Sequence, residues 1–485
     1  MGKSTSGGAF DVVFPLGGYL VSPPAGRTVR EPARDVPVLA ECDVAVLGGG
    51  PAGLCAAAAA ARAGRSVVLV ERHGMLGGMA TAGGVTVLHS LYGTDGATKV
   101  IGGLAEEFIR RLQAAGAARN AAPDGETASW TICPETARFV CDDMAVGSGV
   151  KLLLHTRFAG VIRDGRRISA ALVEGKSGRA AIVAGAFIDC TGDADLDRRA
   201  GGPTQLGDGH GRCQPPSLVF RVGGRKPDAA GLGQIQAELF RRTMDYNGGA
   251  YPAFLWGTPG LHDPAEHMMA GTRVVGINAA DTLDMTRAEV EARYQLRWVL
   301  AAIRSVPGWQ DSWLVAMAAQ VGTRESHRIV AAHQLTRREV LEGAAWPDTI
   351  AQGTYPIDIH NPDGPGITFE YLDGTRREIR GDRTEETGRW DGRPAGAPLR
   401  ETLCYSIPYR SLLPEGLENV LVAGRCAGAN HDSAGAVRVM INCMQLGQAA
   451  GTAAAMMSPS GRASDVDVPS LRGELIRAGM PLRDA

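Results

Sequence analysis

Short apolar runs punctuated by glycine set out the elements of this chain. Asp43-Val-Ala-Val-Leu47 and Ser66-Val-Val-Leu-Val70 read as two strands. Between them lie the glycines of residues 48–53 and an alanine-rich run over 54–63, predicted as a helix. Gly53, Ala56, Ala57 and Ala60 recur there at helical spacing and make a small-residue face. Helices are predicted over 102–115 and 134–147, the second opened by Pro134 at a favoured first-turn position. Residues 150–190 alternate apolar strands with turns at Asp164-Gly165 and 175–178, the pattern of a β-meander. Its last strand, 186–190, is the natural return to the first sheet.

From about 205 to 410 the texture changes to more Pro, Trp and Tyr, with two helix starts signalled by capping boxes, Thr286 with Glu289 and Thr336 with Glu339. Parallel-strand style resumes at Asn419-Val-Leu-Val-Ala-Gly424-Arg425. A long helix follows over 436–457, whose Gly447, Ala450, Gly451 and Ala454 form a second small-residue face, expected to pack near the first. The predicted fold class is α/β: a Rossmann-like dinucleotide-binding domain, discontinuous in sequence and combining a parallel sheet with a β-meander, plus a second α+β substrate domain. The expected divisions are an N-terminal extension (1–40), a first nucleotide-domain part (41–205), a substrate domain (206–412), a return segment (413–462) and a C-terminal tail (463–485).

Composition narrows the classes. A chain of 485 residues exceeds one ordinary core, and 44% hydrophobic residues is the content of a soluble globular protein. The net charge of −2 gives no electrostatic attraction to nucleic acid or an anionic membrane. Nine dispersed cysteines without a CxxC pair suggest neither metal nor cluster, and fit a reducing cytoplasm better than a disulfide framework. No apolar segment reaches bilayer length and no signal peptide is read, so neither membrane nor nucleic acid is an expected partner. A homo-oligomer is compatible with the sequence.

The glycines carry the first chemistry. In Gly48-x-Gly50-x-x-Gly53 the first glycine permits a tight turn, the second admits a pyrophosphate to the backbone, and the third lets helix and strand approach. Pro51 and Ala52 sit at the helix start, where unpaired amides and the helix dipole favour an anion. Glu71, at the tip of the second strand, suits both hydroxyls of an adenosine ribose and disfavours a 2′-phosphate. FAD is preferred to NAD because two late strand ends, Thr191-Gly192-Asp193 and Ala423-Gly424-Arg425, put small residues where a long ligand must pass. The last helix, expected to start near Gly435, would aim its positive end at the flavin.

At these residues the chain resembles FAD-dependent oxidoreductases of the glutathione-reductase-like superfamily, specifically the group related to the flavin domain of heterodisulfide reductase. The matching stretches are 43–53, 70–72 continuing to Leu76-Gly77-Gly78-Met79, 188–193, Gly322-Thr-Arg324-Glu325, 407–412, and 422–425 continuing through Arg438 to 446–451. The resemblance implies non-covalent FAD held at Gly48, Gly50, Gly53, Glu71, Arg72, Gly77, Gly78, Gly192, Asp193, Gly424 and Arg425. The chain lacks the cysteine motifs of the bifurcating relatives, so electron bifurcation is not expected.

A flavin dehydrogenase needs a base for the proton that leaves with the hydride and an anchor for the substrate. His431, between the Ala423-Gly424-Arg425 turn and the last helix, is the favoured base. Arg324 is the favoured anchor for a carboxylate or carbonyl, unless Glu325 beside it ties it into an ion pair. Spacing puts Arg438 and Asn442 within reach of the same cavity; His89, beyond the glycine-rich segment, and His360 are further candidates. A covalent link through His73 is not expected, because it should lie at the adenosine end, and Cys190 and Cys443 read as buried small hydrophobes. The expected activity is hydride transfer between a small polar organic substrate and flavin N5, with the electron acceptor unassigned. The alternatives are a flavin monooxygenase using NAD(P)H and oxygen and, from another class, a flavin-containing RNA-modifying or RNA-binding module.

Overall fold

The protein is described by a computed structural model covering residues 18–122, 128–242, 254–381, 384–394 and 396–483. Most of the expected extension, residues 1–17, lies outside the described residues. The central strand Val38–Leu47 pairs in parallel with Val67–Val70 on one side and with Gly178–Asp189 on the other. Lys151–Leu153 and Val420–Val422 extend the parallel sheet at its two edges. Val44 and Val46 face one core and Ala45 and Leu47 the other, so both faces are covered and the run needs no polar alternation.

The meander is fused to this sheet. Gly178–Asp189 pairs through its first half with Arg167–Gly175, which pairs with Arg157–Asp164, and through its second half with Val420–Val422. The expected end of the meander and the expected return strand are thus one continuous strand of 12 residues.

The first helix, Pro51–Arg62, lies against the long helix Met440–Met456, and the two small-residue faces meet. A Cβ at Gly447 would stand 2.0 Å from the Ala52 carbonyl oxygen, and one at Gly451 would stand 2.1 Å from that of Ala56. Only glycine permits this backbone contact. It ties residues almost 400 positions apart into one core, shared by Leu54, Ala57, Leu446 and Ala450.

Four boundary expectations are corrected. The first helix begins at Pro51, not residue 54, using proline where the missing N–H costs nothing. The long C-terminal helix is two: His431–Val437, then an extended Val439, then Met440–Met456. Thr336 and Glu339 do form a capping box, but Thr286 and Glu289 do not. Helix Thr282–Arg304 starts earlier because Asp281 accepts hydrogen bonds from the amides of Leu283 (2.8 Å) and Asp284 (3.0 Å); the Thr286 hydroxyl instead donates to the Thr282 carbonyl. The C-terminal tail contains a helix, Val468–Arg477, whose Leu471 and Leu475 are buried.

A second, antiparallel sheet runs in the order Trp256–Pro259, His267–Ala270, Val219–Gly223, Trp313–Met317. One face, with Phe220 and Val222, packs beneath helices Leu232–Arg242 and Thr282–Arg304. The other presents Val219, Met268 and Ala270 to Val85, Val87 and Trp256, and so roofs a cavity above the first sheet. Within the segment expected as a substrate domain, residues such as Leu335, Ile350, Ile357 and Tyr405 join the core of the first and last helices. Among the described residues no helix is long and apolar enough to cross a membrane, no group of residues could hold a metal ion, and all nine cysteines are free.

Candidate active site

A cavity of about 660 Å³ runs from the glycine turn to the second sheet. That is within the usual range for cofactor-sized ligands, roughly 300–1,000 Å³. Gly48, Gly50, Pro51, Ala52, Glu71, Arg72, Gly78, Met79, Gly192, Gly424 and Arg425, all expected at the cofactor, line it.

The turn is built by backbone contact. Gly48 has φ +101°, and a Cβ there would meet the Cys190 carbonyl oxygen at 2.4 Å. A Cβ at Gly53 would be 1.7 Å from the Gly48 carbonyl oxygen, so the helix can start this close to the strand only with glycine. Gly50 differs: a Cβ on it would meet nothing within 4 Å, so its backbone faces open space. As N-cap it offers no side chain to the first-turn amides, which leaves an uncapped helix start at the cavity wall. Such a start fits a diphosphate. The Glu71 carboxylate accepts from the amides of Gly49 (2.7 Å) and His73 (2.8 Å), which fixes its position on the wall. A carboxylate has about four acceptor sites, so capacity remains for a ribose.

Four expected cofactor residues do not line the cavity. Gly53 packs on Gly48, and Gly77 (φ +95°) donates its amide to the Gly49 carbonyl at 2.8 Å, bracing the turn from behind. Asp193 holds a lining residue: Arg425 donates to it at 2.9 Å, and the Ser326 hydroxyl donates to the same oxygen at 2.5 Å. Gly435 lies inside the short helix, where a Cβ would meet the Asp358 carbonyl oxygen at 2.7 Å. The helix start that does line the cavity is Val439–Met440.

The far end gathers His89, Ser217, Arg324, Tyr355, Asp358, His360 and Arg438. Asp358 is their hub. Its Oδ2 accepts from the Tyr355 hydroxyl (2.8 Å) and from Arg438 (3.1 Å), and His360 Nε2 lies 3.3 Å from Oδ1. Behind His360, Arg273 donates to its Nδ1 at 2.6 Å, so the ring presents Nδ1 as acceptor. Burial, with Arg324, Arg273 and Arg438 around it, holds the His360 imidazole well below its ordinary range and therefore neutral. The His89 ring stacks on Tyr355 with centroids 4.1 Å apart. Burial pushes its pKa down to about 4, with Asp358 pulling up and Arg438 pushing further down.

Arg324 is not tied up by its neighbour Glu325. It donates through Nη1 to the Pro215 carbonyl (2.6 Å) and the Ser217 hydroxyl (2.8 Å). Burial and the nearby Arg438 charge lower its pKa to about 10. Glu325 pairs instead with Arg328 at 2.5 Å and with His431 Nδ1 at 2.8 Å. His431 is absent from the cavity wall for that reason: its ring turns toward a buried carboxylate, and the position expected of the base is filled by His89. Asn442 is buried beside the site, donating to the Tyr405 hydroxyl at 2.8 Å. His73 lines the nucleotide end, away from the cluster around Asp358. Cys190 and Cys443 are buried thiols, the latter pushed up to about 12 by burial.

Sequence reasoning missed Asp358, Ser217 and the contact role of Tyr355. A signal for Asp358 and His360 does exist: they alternate with Ile357 and Ile359, placing two polar groups on one side of an apolar strand.

Sheet, turn and cavity together define a dinucleotide-fold flavoprotein. A family model described as FAD dependent oxidoreductase matches residues 43–475, and the chain belongs to this family; it is an enzyme whose cofactor is FAD. No curated protein matches the chain. Among solved structures it is similar to a geranylgeranyl bacteriochlorophyll reductase-like protein from Thermoplasma acidophilum, at 12% identity over 90% of this chain and 83% of that one, with a TM-score of 0.43. It is also similar to the flavin-dependent brominase Bmp2 (12% identity, 90% and 83% covered, TM-score 0.42). OxyS anhydrotetracycline hydroxylase from Streptomyces rimosus matches at 13% identity, with 90% and 66% covered and a TM-score of 0.40.

Proposed function

We propose that this protein is an FAD-dependent dehydrogenase that moves a hydride between a small polar organic substrate and flavin N5. The observation that carries the reading is the continuity of one cavity, from the glycine turn and Glu71 to His89, Arg324 and Arg438. Bound FAD would supply the hydride acceptor or donor. The chain supplies the rest. Arg324 and Arg438 bind and orient the substrate's polar group. His89, neutral at physiological pH because burial pushes it to about 4, accepts at a ring nitrogen the proton that leaves the substrate heteroatom. The apolar residues Val87, Val219 and Trp256 keep water from the reacting end. Kinship to the flavin domain of heterodisulfide reductase, a cytoplasmic location and the absence of nucleic-acid partners belong to the same proposal.

The test is direct. Purified or reconstituted protein should be yellow, with about one FAD per chain, and a screen of small metabolites without oxygen should find compounds that bleach the flavin. Protein that takes up no FAD, or flavin that bleaches only under strong chemical reductants, would overturn the proposal.

A further inference from the structure

We propose that the substrate is an organic carboxylate with an apolar, ring-sized body, its carboxylate bridging Arg324 and Arg438. The inference rests on the functional reading above and extends it to the chemical class of the ligand.

The first support is hydrogen-bond accounting on Arg324. A guanidinium has five N–H donors. Arg324 uses Nη1 for the Pro215 carbonyl and the Ser217 hydroxyl, and among the described residues no acceptor meets its Nε or Nη2. No carboxylate of the described residues lies within ion-pairing distance of it. On Arg438, Nη2 donates to Asp358, while the buried Nε has no partner. Unspent donors on two cations beside one cavity are costly unless an anion meets them.

Charge accounting is the second support. Asp358 is the one acidic residue among those that line the far end, against Arg324 and Arg438. It is already shared by Tyr355, Arg438 and His360. An incoming carboxylate neutralises the excess positive charge, and its planar pair of oxygens matches guanidinium geometry. A neutral amide or alcohol would leave that charge buried.

The third support is the wall around the cations. Val87, Val219, Trp256 and Ala270 descend from the second sheet, and Phe369 and Ile367 close the side. Apolar surface beside two cations selects a molecule with an anionic end and an apolar end, rather than a bare inorganic anion.

The experiment uses the FAD-loaded protein and reads perturbation of the flavin visible band by three probes: benzoate, its neutral isostere benzamide, and inorganic phosphate. Benzoate should bind at least about tenfold more tightly than benzamide, because charge-assisted bonds to two cations separate the probes. Phosphate should compete with benzoate only at concentrations far above those at which benzoate binds. Arg324→Met should erase the preference for benzoate while FAD content stays unchanged, and Arg324→Lys should restore part of it. If Arg324→Met is insoluble, the ratio of benzoate to benzamide on the unmodified protein decides alone. FAD-loaded protein that binds benzoate and benzamide equally, or phosphate as well as benzoate, overturns this inference and leaves the dehydrogenase reading standing. Protein unable to hold FAD removes both.

Discussion

The two ends of the cavity are built from different materials. At the nucleotide end the walls are main chain: Gly48 against the carbonyl of Cys190, Gly53 against Gly48, and Gly447 and Gly451 against Ala52 and Ala56. At the far end they are side chains delivered by four separate stretches, around His89, Ser217 to Arg324, Tyr355 to His360, and Arg438. A main-chain wall is specified by the absence of a side chain, so substitution there fails by steric overlap. A side-chain wall is specified by charges that hold one another, so substitution fails by loss of a partner. The two ends should therefore break differently.

The largest effect falls on the main-chain end. Gly447→Val would drive a branched side chain into the Ala52 carbonyl, where even a Cβ stands at 2.0 Å. The expected cost is about 3 kcal/mol or more, enough to lose soluble or FAD-retaining protein. Gly50→Ala provides the contrast, because a Cβ there meets nothing within 4 Å. It should fold with a melting temperature within a few degrees of the parent yet hold FAD more weakly, since the methyl group occupies space intended for the ligand. Thermal unfolding and flavin retention on a desalting column check both. Equal behaviour of the two variants would end the distinction between close-packed and ligand-facing glycines.

At the side-chain end, His89 and His431 test which histidine moves the proton. His89→Asn should slow flavin reduction by roughly 10²–10⁴-fold with FAD still bound, the usual contribution of a positioned base. His431→Ala should act mainly on stability, because it removes a partner from the buried Glu325 and costs about 1–3 kcal/mol. A reduction rate that collapses in His431→Ala but not in His89→Asn would reverse the assignment.

The pH profile sharpens the same point. His89 has its folded pKa depressed to about 4, so as a base it is competent above that value and lost below it. Flavin reduction should be level from pH 8 down to about 5 and decline below about 4. An inflection near 6.5, the ordinary histidine value, would point to an imidazole outside this buried cluster.

Legibility in the sequence follows the same divide. The strand, Gly48-x-Gly50-x-x-Gly53, helix and Glu71 are contiguous, and Gly447 and Gly451 announce a second close approach by their spacing alone. Such features are local or periodic, so one sequence reveals them. The set of Arg324, Asp358, Tyr355 and Arg438 is neither, because its members meet only after two sheets and two cores have formed. His431 shows the cost of judging by proximity in sequence: it follows the Gly424-Arg425 turn closely, but Glu325 draws its ring elsewhere. Gly435 reads as a helix start in sequence because the break at Val439 depends on the short helix pressing onto the strand of Asp358, a tertiary contact.

The smallest expected effect concerns a buried charge behind the nucleotide end. Asp197, in the short helix Asp195–Ala200, is fully buried, and neither carboxylate oxygen has a hydrogen-bond partner. Burial first, and then the charge of Asp189, raise its pKa from 3.8 to about 7. Asp189 itself is well bonded, to the Thr191 amide and hydroxyl and to the Leu196 amide, so it is Asp197 that carries the uncompensated oxygens. The folded state thus prefers the neutral acid, and the stability gained from it is fully present below about pH 4 and lost as pH rises through about 7. Asp197→Asn removes the titration with nearly the same shape. At pH 5 parent and variant should unfold alike, whereas at pH 8.5 the variant should be more stable by about 1–3 kcal/mol, the usual penalty of an unsatisfied buried group. FAD retention should not change, since Asp197 does not line the cavity. Denaturant unfolding at the two pH values checks this, and a variant less stable than the parent at pH 8.5 would mean that the ionised carboxylate is satisfied and that this end, too, depends on a side-chain charge.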